Sequence, residues 1–277
     1  MANGPPPPNP YGSLRYVDSV AGNLLFRGPS PVQTREDGTS FFDYHGLQAA
    51  IAMARPTPLA IDYYLAVINL VHSDEGPHIS VEADFFRQDA SGNPSGFGQV
   101  QFWDTYGTDQ CYFRTEPPPL QKELVATLGE WLPDPLIWRV ATLRSWLEDP
   151  ATLPLQPQPP LPKIAPPVAF YVHCDGGCDR TSEMIGAYRL RYMPSSWTME
   201  NAWSNMCNEH PCTNVMGCGN YMALEWYAYW LNQTQGFSLT GIGLNDGGCN
   251  DGGDIWQKCS PHQATPTERP STPRGRP

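Results

Sequence analysis

The sequence predicts an α/β fold with a mainly parallel central sheet flanked by helices. Two observations carry that prediction. The runs YLAVINLV (64–71) and VAFYVHC (168–174) are continuously apolar and rich in β-branched and aromatic residues, as strands covered on both faces must be. Between and after them lie segments of helical period, and strands that alternate with helices build parallel sheets. GNLLFRGPSP (22–31) reads as a short strand stopped by a Gly-Pro turn. YHGLQAAIAMAR (44–55) reads as a helix with Leu47, Ala50, Ile51 and Ala54 on one face and Pro56 just past its end. HISVEADFF (78–86) is expected to be a strand next to 64–71, and GQVQFWD (98–104) another, followed by the turn-rich TYGTDQ. LQKELVATLGEWL (120–132) and LIWRVATLRSWLE (136–148) read as amphipathic helices separated by Pro-Asp-Pro. SEMIGAYRLRYM (182–193) and GNYMALEWYAYWLN (219–232) are helical too, and in the second Met222, Trp226 and Tyr229 form a core stripe.

The chain has 277 residues, 40% of them hydrophobic and 12% aromatic, enough for a globular domain with a sizeable core. Its 31 prolines cluster, so they mark segments. Residues 1–13 and 258–277 are expected to be disordered tails and 14–257 one domain. The proline-rich stretch near 150–167 is expected to be a surface insertion stiffened as polyproline II, because the strand after it needs a sheet to join. Formal charge is −11 and no Lys/Arg run occurs, which argues against nucleic acid and anionic membranes as partners. No apolar run reaches membrane-spanning length and no leader pattern opens the chain, so a cytoplasmic monomer without a membrane anchor is expected. Asn232-Gln233-Thr234 is a glycosylation sequon, a triplet common enough by chance to carry little weight.

The chemistry concentrates in YVHCDGGCDRTSEM (171–184), where a strand runs through a glycine-containing loop into a helix. That arrangement presents several backbone N–H groups to one anion, with the helix dipole adding positive potential. A cysteine at the strand end shares this field, and such surroundings bring a thiol pKa down to roughly 3.5–7.5. Arg180 would close the loop with a planar fork matched to two phosphate oxygens. Gly176 and Gly177 would permit the tight path, and the Thr181 hydroxyl could donate toward the sulfur of Cys174.

His173-Cys174, five intervening residues, then Arg180-Thr181 resembles the signature of the cysteine-dependent protein tyrosine and dual-specificity phosphatases. GNLLFRGPSP is similar to the entry segment of dual-specificity and related phosphatases, where Arg and Pro follow a short apolar run. The resemblance spans roughly 20–205, and only the signature within it is specific. It implies a dual-specificity-phosphatase-like fold and hydrolysis of a phosphomonoester through a phosphocysteine on Cys174, without metal or other cofactor. Arg180 and the loop residues Asp175, Gly176, Gly177, Cys178, Asp179 and Thr181 would bind the phosphoryl group, and an aspartate would serve as acid and then base. The implied partner is a phosphorylated protein, on phosphotyrosine or phosphoserine/threonine, or a small phosphomonoester. The acidic loop is also similar to that of the myotubularin lipid phosphatases at Gly177, Asp179, Arg180 and Thr181, with a glycine one place early, so inositol phosphates and phosphoinositides form the alternative.

Asp104 is the favoured acid, because it ends a strand and would lie at the same sheet edge as Cys174; a turn-initiating aspartate is the competing reading. Asp134 in EWLPDP superficially resembles the Trp-Pro-Asp loop of tyrosine phosphatases, and Asp179 lies inside the loop. Cys178 is either a packing residue or the partner of a reversible disulfide with Cys174. Cys207, His210, Cys212 and Cys218 fit no well-formed zinc hook, and NDGGCNDGGD (245–254) lacks the ligand pattern of a calcium loop. His45, His72 and His78 look isolated. Two rivals from other classes remain: a pseudophosphatase that binds phosphate without turnover, and a thiol-redox or metal protein.

Overall fold

The computed structural model describes residues 10–55, 63–72, 75, 77–89, 98–105, 118–130, 135–154, 167–193, 197–199, 201–202 and 218–243. The strands are β1 (Arg15–Val20), β2 (Asn23–Gly28), β3 (Val32–Thr34), β4 (Ser40–Phe42), β5 (Tyr64–Asn69), β6 (Gly98–Phe102) and β7 (Val168–His173). The helices are α1 (Tyr44–Ala54), α2 (Pro77–Asp89), α3 (Pro118–Ala126), α4 (Leu136–Glu148), α5 (Asp179–Tyr192) and α6 (Cys218–Thr234).

Five strands form one sheet in the order β1-β2-β7-β5-β6, and β3 and β4 make a separate hairpin. β2, β7, β5 and β6 are mutually parallel, and β1 adds an antiparallel edge. This is the mainly parallel, helix-flanked sheet that the sequence predicts. β7 lies at its centre with every residue buried. Its alternate side chains feed two cores. Phe170, Val172 and Cys174 join the helical side with Val140, Leu143, Ile185 and Trp226, whereas Ala169 and Tyr171 join Leu47, Ile51 and Phe86. Helices α1 and α2 thus cover one face, and α4, α5 and α6 the other.

One element differs in kind from its expectation. The 78–86 stretch is a helix, not a strand. β5 and β6 pair in parallel, so the chain between them must cross over, which a helix does and a neighbouring strand does not. Pro77 opens α2, and the buried Glu82 and Phe86 stand one turn apart. The β-branched Ile79 and Val81 favour strand locally, and this topology overrides them. β1 and the β3–β4 hairpin carry no periodic apolar signal strong enough to be anticipated.

α1 is capped by Asp43, whose side chain accepts from the Gly46 N–H, and Tyr11 donates to the same carboxylate at 3.2 Å. Tyr11 and Ser13 are buried, so packing begins within the stretch assigned to the N-terminal tail. α3 stops at Ala126 and a single 3₁₀ turn, Leu128–Glu130, follows. Of the proline-rich stretch, residues 155–166 lie outside the described residues, as do 1–9 and 244–277. Both arms of the Asn232 amide bond the Leu239 backbone, at 2.8 and 2.9 Å, so the sequon nitrogen ties down the turn after α6. No helix among the described residues is long and apolar enough to cross a membrane.

Candidate active site

Cys174 leaves the C-terminal end of the central strand, and the loop 174–178 carries the chain into α5. The thiol is buried and free. What shapes the loop is the fate of its carbonyls. The His173 carbonyl accepts from Leu70 N–H (2.8 Å), Asp175 from Ser30 N–H (2.8 Å), and Cys178 from Ser182 N–H (3.1 Å). The Cys174 carbonyl meets Nδ1 of His173 at 3.1 Å. The Gly177 carbonyl accepts from the Arg27 guanidinium at 2.9 Å. In a planar trans peptide the next residue's N–H points opposite to the carbonyl. Fixing the Cys174 and Asp175 carbonyls in these bonds therefore turns the N–H groups of Asp175 and Gly176 the opposite way. Among the described residues, the N–H groups of Asp175, Gly176, Gly177 and Arg180 donate to no protein group. A row of unspent donors at a helix N-terminus is an anion cradle.

The two glycines do different work. Gly177 is buried at φ +73°, and a Cβ there would stand 2.4 Å from the Gly28 carbonyl oxygen. Gly176 is exposed, with only Cys178 Sγ, at 3.6 Å, near its would-be Cβ. Arg27, fully buried on β2, also donates to Ser182 Oγ at 2.7 Å, tying the loop to the first turn of α5 from below. The sequence pattern placed Arg27 in the entry segment without giving it a role.

Arg180 is clamped by a residue that sequence reading missed. Glu75, between β5 and α2, takes its Nη1 at 2.7 Å and its Nη2 at 2.9 Å, and the Leu70 carbonyl lies 3.4 Å from Nη1. Burial lowers the Arg180 pKa, but the bond to Glu75 and the negative charge available at Cys174, Glu75 and Asp175 outweigh it, leaving the pKa raised. Of the guanidinium's five N–H bonds these contacts use three, so Nε–H and one Nη2–H remain as a second parallel pair, a fork for two phosphate oxygens. Thr181 is fully buried and its hydroxyl has no protein partner, leaving it available to a neighbouring sulfur or oxygen. Asp175 is exposed at the loop mouth, with its carboxylate 4.0 Å from His78 Nε2; His78 also lies 3.4 Å from Ser30 Oγ, so it is not isolated. Asp179 occupies the first turn of α5, where negative charge suits the helix dipole.

Cys178 is disulfide-bonded while Cys174 is free, so the two do not pair and Cys178 is more than a packing residue. Its partner's side chain lies outside those described. Asp104 sits two residues past β6, at the same sheet end as Cys174, with β5 between their strands. Its carbonyl accepts from Arg139, and Arg139 also donates to Thr105 Oγ1 at 2.8 Å, fixing the backbone there. Asp134, His210 and the cysteines 111, 207, 212, 249 and 259 lie outside the described residues. Among the described residues no three His, Cys, Asp or Glu side chains converge as a metal site.

No protein-family model matches the chain, and no curated protein matches it. Among solved structures it is similar to human DUSP28, at 15% identity over 78% of this chain and 95% of that one, with a TM-score of 0.35. It is similar to the core catalytic domain of the PP-IP phosphatase SIW14 from S. cerevisiae in complex with citrate, at 12% identity over 84% and 98%, TM-score 0.35. A third is the Yvh1 phosphatase domain from Chaetomium thermophilum, at 12% identity over 81% and 99%, TM-score 0.37. At such identities and scores these likenesses decide nothing, and the chemistry has to come from the loop itself.

Proposed function

We propose that the chain is a cysteine-dependent phosphatase that hydrolyses a phosphomonoester through a phosphocysteine on Cys174. The observation that carries this is the cradle: a free buried thiol at the end of β7, beneath a loop whose N–H groups at Asp175, Gly176, Gly177 and Arg180 are unspent. In the first step the sulfur attacks phosphorus, the P–O bond to the leaving group breaks, and the leaving oxygen takes a proton. In the second, water attacks phosphorus and the S–P bond breaks, returning the electron pair to Cys174. The loop N–H groups and the free edge of Arg180 hold the three non-bridging oxygens in both transition states. Thr181 Oγ1 supports the departing thiolate.

Asp104 is our acid, supported by its place at the shared sheet end and by a backbone pinned through Arg139. A positioned acid contributes about 10²–10⁴-fold. Asp104→Asn should therefore flatten the limb of the pH–rate profile that reports the acid; a wild-type profile would reject Asp104.

The rim is acidic: Glu75 and Asp175 flank the mouth, with side chains 39% and 66% exposed. Such a rim favours a substrate with one phosphate and little other negative charge, hence a phosphorylated protein over a multiply charged inositol phosphate or phosphoinositide. The disulfide on Cys178 favours an oxidising compartment over the cytoplasmic expectation. The deciding assay is turnover of p-nitrophenyl phosphate by wild type and Cys174→Ser. Turnover that disappears in the variant supports the enzyme. Vanadate or phosphopeptide binding without any Cys174-dependent turnover replaces it with a pseudophosphatase.

A further inference from the structure

One peptide plane of the loop is held differently from its neighbours. The carbonyls of Cys174, Asp175, Gly177 and Cys178 each have a hydrogen-bond partner. The Gly176 carbonyl meets only Sγ of Cys178, at 3.8 Å, and the Gly177 N–H on the same plane donates to no protein group among the described residues. Because Cys178 is disulfide-bonded, its sulfur carries no hydrogen, and the contact is packing rather than a hydrogen bond. The same sulfur stands 3.6 Å from where a Cβ on Gly176 would be. A plane between two glycines has no side chain of its own to resist rotation. Turned by half a rotation, it would present the Gly176 oxygen where the Gly177 N–H now stands, exchanging a donor for an acceptor. Cys178 is also the N-cap of α5, with helical backbone (φ −89°, ψ −72°) and no side-chain cap bond. An ordinary capping side chain would take the N–H of Arg180 or Thr181. A sulfur committed to a disulfide takes neither, so the tether restrains the start of α5 without consuming a donor that an anion needs.

We propose that Cys178 is a positioning residue whose disulfide wedges the Gly176–Gly177 peptide, so that the oxyanion cradle is assembled in the oxidised protein and comes apart when that bond is reduced. Reduction by a dithiol breaks the S–S bond. Two electrons and two protons pass to the two sulfurs, and the dithiol becomes a cyclic disulfide. Oxidised glutathione reverses the step, carrying off the same electrons and protons as two glutathione thiols. Cys178 is half-buried, within reach of a small reductant, and once freed its side chain regains rotamers that no longer hold Gly176. The sign is opposite to the ordinary fate of a thiol nucleophile, which oxidation inactivates. Cys174 is free in the oxidised state, so the bond that orders the loop does not consume its thiol.

The device presupposes the cradle reading of the loop, but half of its test needs no turnover. In non-reduced full-length protein, peptide mapping by mass spectrometry should find Cys178 in a disulfide and Cys174 free; Cys178 found as a thiol overturns the proposal. Tungstate, a phosphate-like oxyanion, should bind by calorimetry. After dithiothreitol its affinity should fall roughly tenfold, the loss of one donor to a charged group. Turnover of p-nitrophenyl phosphate should fall on the order of 10², as for a displaced positioning group, and oxidised glutathione should restore both. Cys178→Ser should show the reduced values in either condition, which separates this bond from any other in the chain. A merely structural disulfide would lower Tm and leave tungstate affinity and turnover of the folded protein unchanged; that result overturns the proposal, as does wild-type behaviour of Cys178→Ser. Should the variant not fold, the loss in wild type, timed against alkylation of Cys178, decides. Tungstate affinity that follows the bond without Cys174-dependent turnover upholds the tether and rejects only the phosphatase. A folded, oxidised protein that neither binds tungstate nor turns over overturns both.

Discussion

Replacing Gly177 by alanine tests the cradle most directly, because the structure assigns opposite outcomes to adjacent glycines. A Cβ at 177 would lie 2.4 Å from Gly28 O, 2.5 Å from Gly28 C and 2.7 Å from Pro29 N, all backbone atoms. Carbon contacts relax at about 3.5–4.0 Å, so roughly 1 Å of separation has to be found. Gly28 cannot retreat: its own Cβ position is filled by the Tyr171 hydroxyl, 2.3 Å away, which is itself bonded to the Pro29 carbonyl at 2.6 Å. The loop must move instead. Left-handed backbone costs alanine about 1–2 kcal/mol, and overpacking a tight site about 1–3 kcal/mol more. The sum, about 2–5 kcal/mol, corresponds to a Tm lowered by roughly 4–20 °C in a domain of this size. A 1 Å displacement of positioned donors costs on the order of 10² in turnover. Gly176→Ala, with an ordinary 3.6 Å contact, should stay within about 0.5 kcal/mol of wild type. Thermal melting and p-nitrophenyl phosphate turnover of both variants check this. Equal damage in the two, or a Gly177→Ala protein with wild-type Tm and rate, refutes the reasoning.

Arg27→Met removes two charge-assisted bonds, to Gly177 O and Ser182 Oγ, and strands a buried carbonyl. At about 1.5–3 kcal/mol each, the loss should be about 3–6 kcal/mol by urea denaturation, with Arg27→Lys recovering part of it; an unshifted midpoint contradicts the clamp. The alkaline limit of stability should be set by tyrosines. Burial, the largest cause in each, raises the pKa of Tyr11, Tyr63, Tyr171, Tyr188 and Tyr227 above its ordinary value. Because the folded pKa is raised, each contributes its stability in full below the unfolded value of about 10 and loses it as pH climbs toward the folded one. Above pH 10 the slope is about 1.4 kcal/mol per pH unit for each tyrosine. Tyrosinate absorbance and unfolding should then rise together between pH 10 and 12; full ionisation in a still-folded chain contradicts this.

The parallel sheet and the cysteine loop were legible in the sequence for one reason: their signals are local. Continuous apolar runs identify strands covered on both faces, and in His173-Cys174 to Arg180-Thr181 the functional groups lie within nine residues. The supports of that loop had no such signal. Arg27, Glu75 and Glu82 are single charged residues 92 to 147 positions before Cys174, and each looks in sequence like an ordinary surface charge. Periodicity even argued for the wrong element around Glu82, since Ile79 and Val81 suit a strand until β5 and β6 are seen to pair in parallel. Local pattern alone was enough to bring a thiol, an arginine and a turn of backbone amides to one strand end. Long-range packing set how they are held: the buried Arg27 bonds the Gly177 carbonyl, Glu75 aims Arg180, and Glu82 stands 3.4 Å from His173. A charged side chain buried without a partner costs too much to persist, so its partner is chosen by three-dimensional packing, and linear spacing carries no record of that choice.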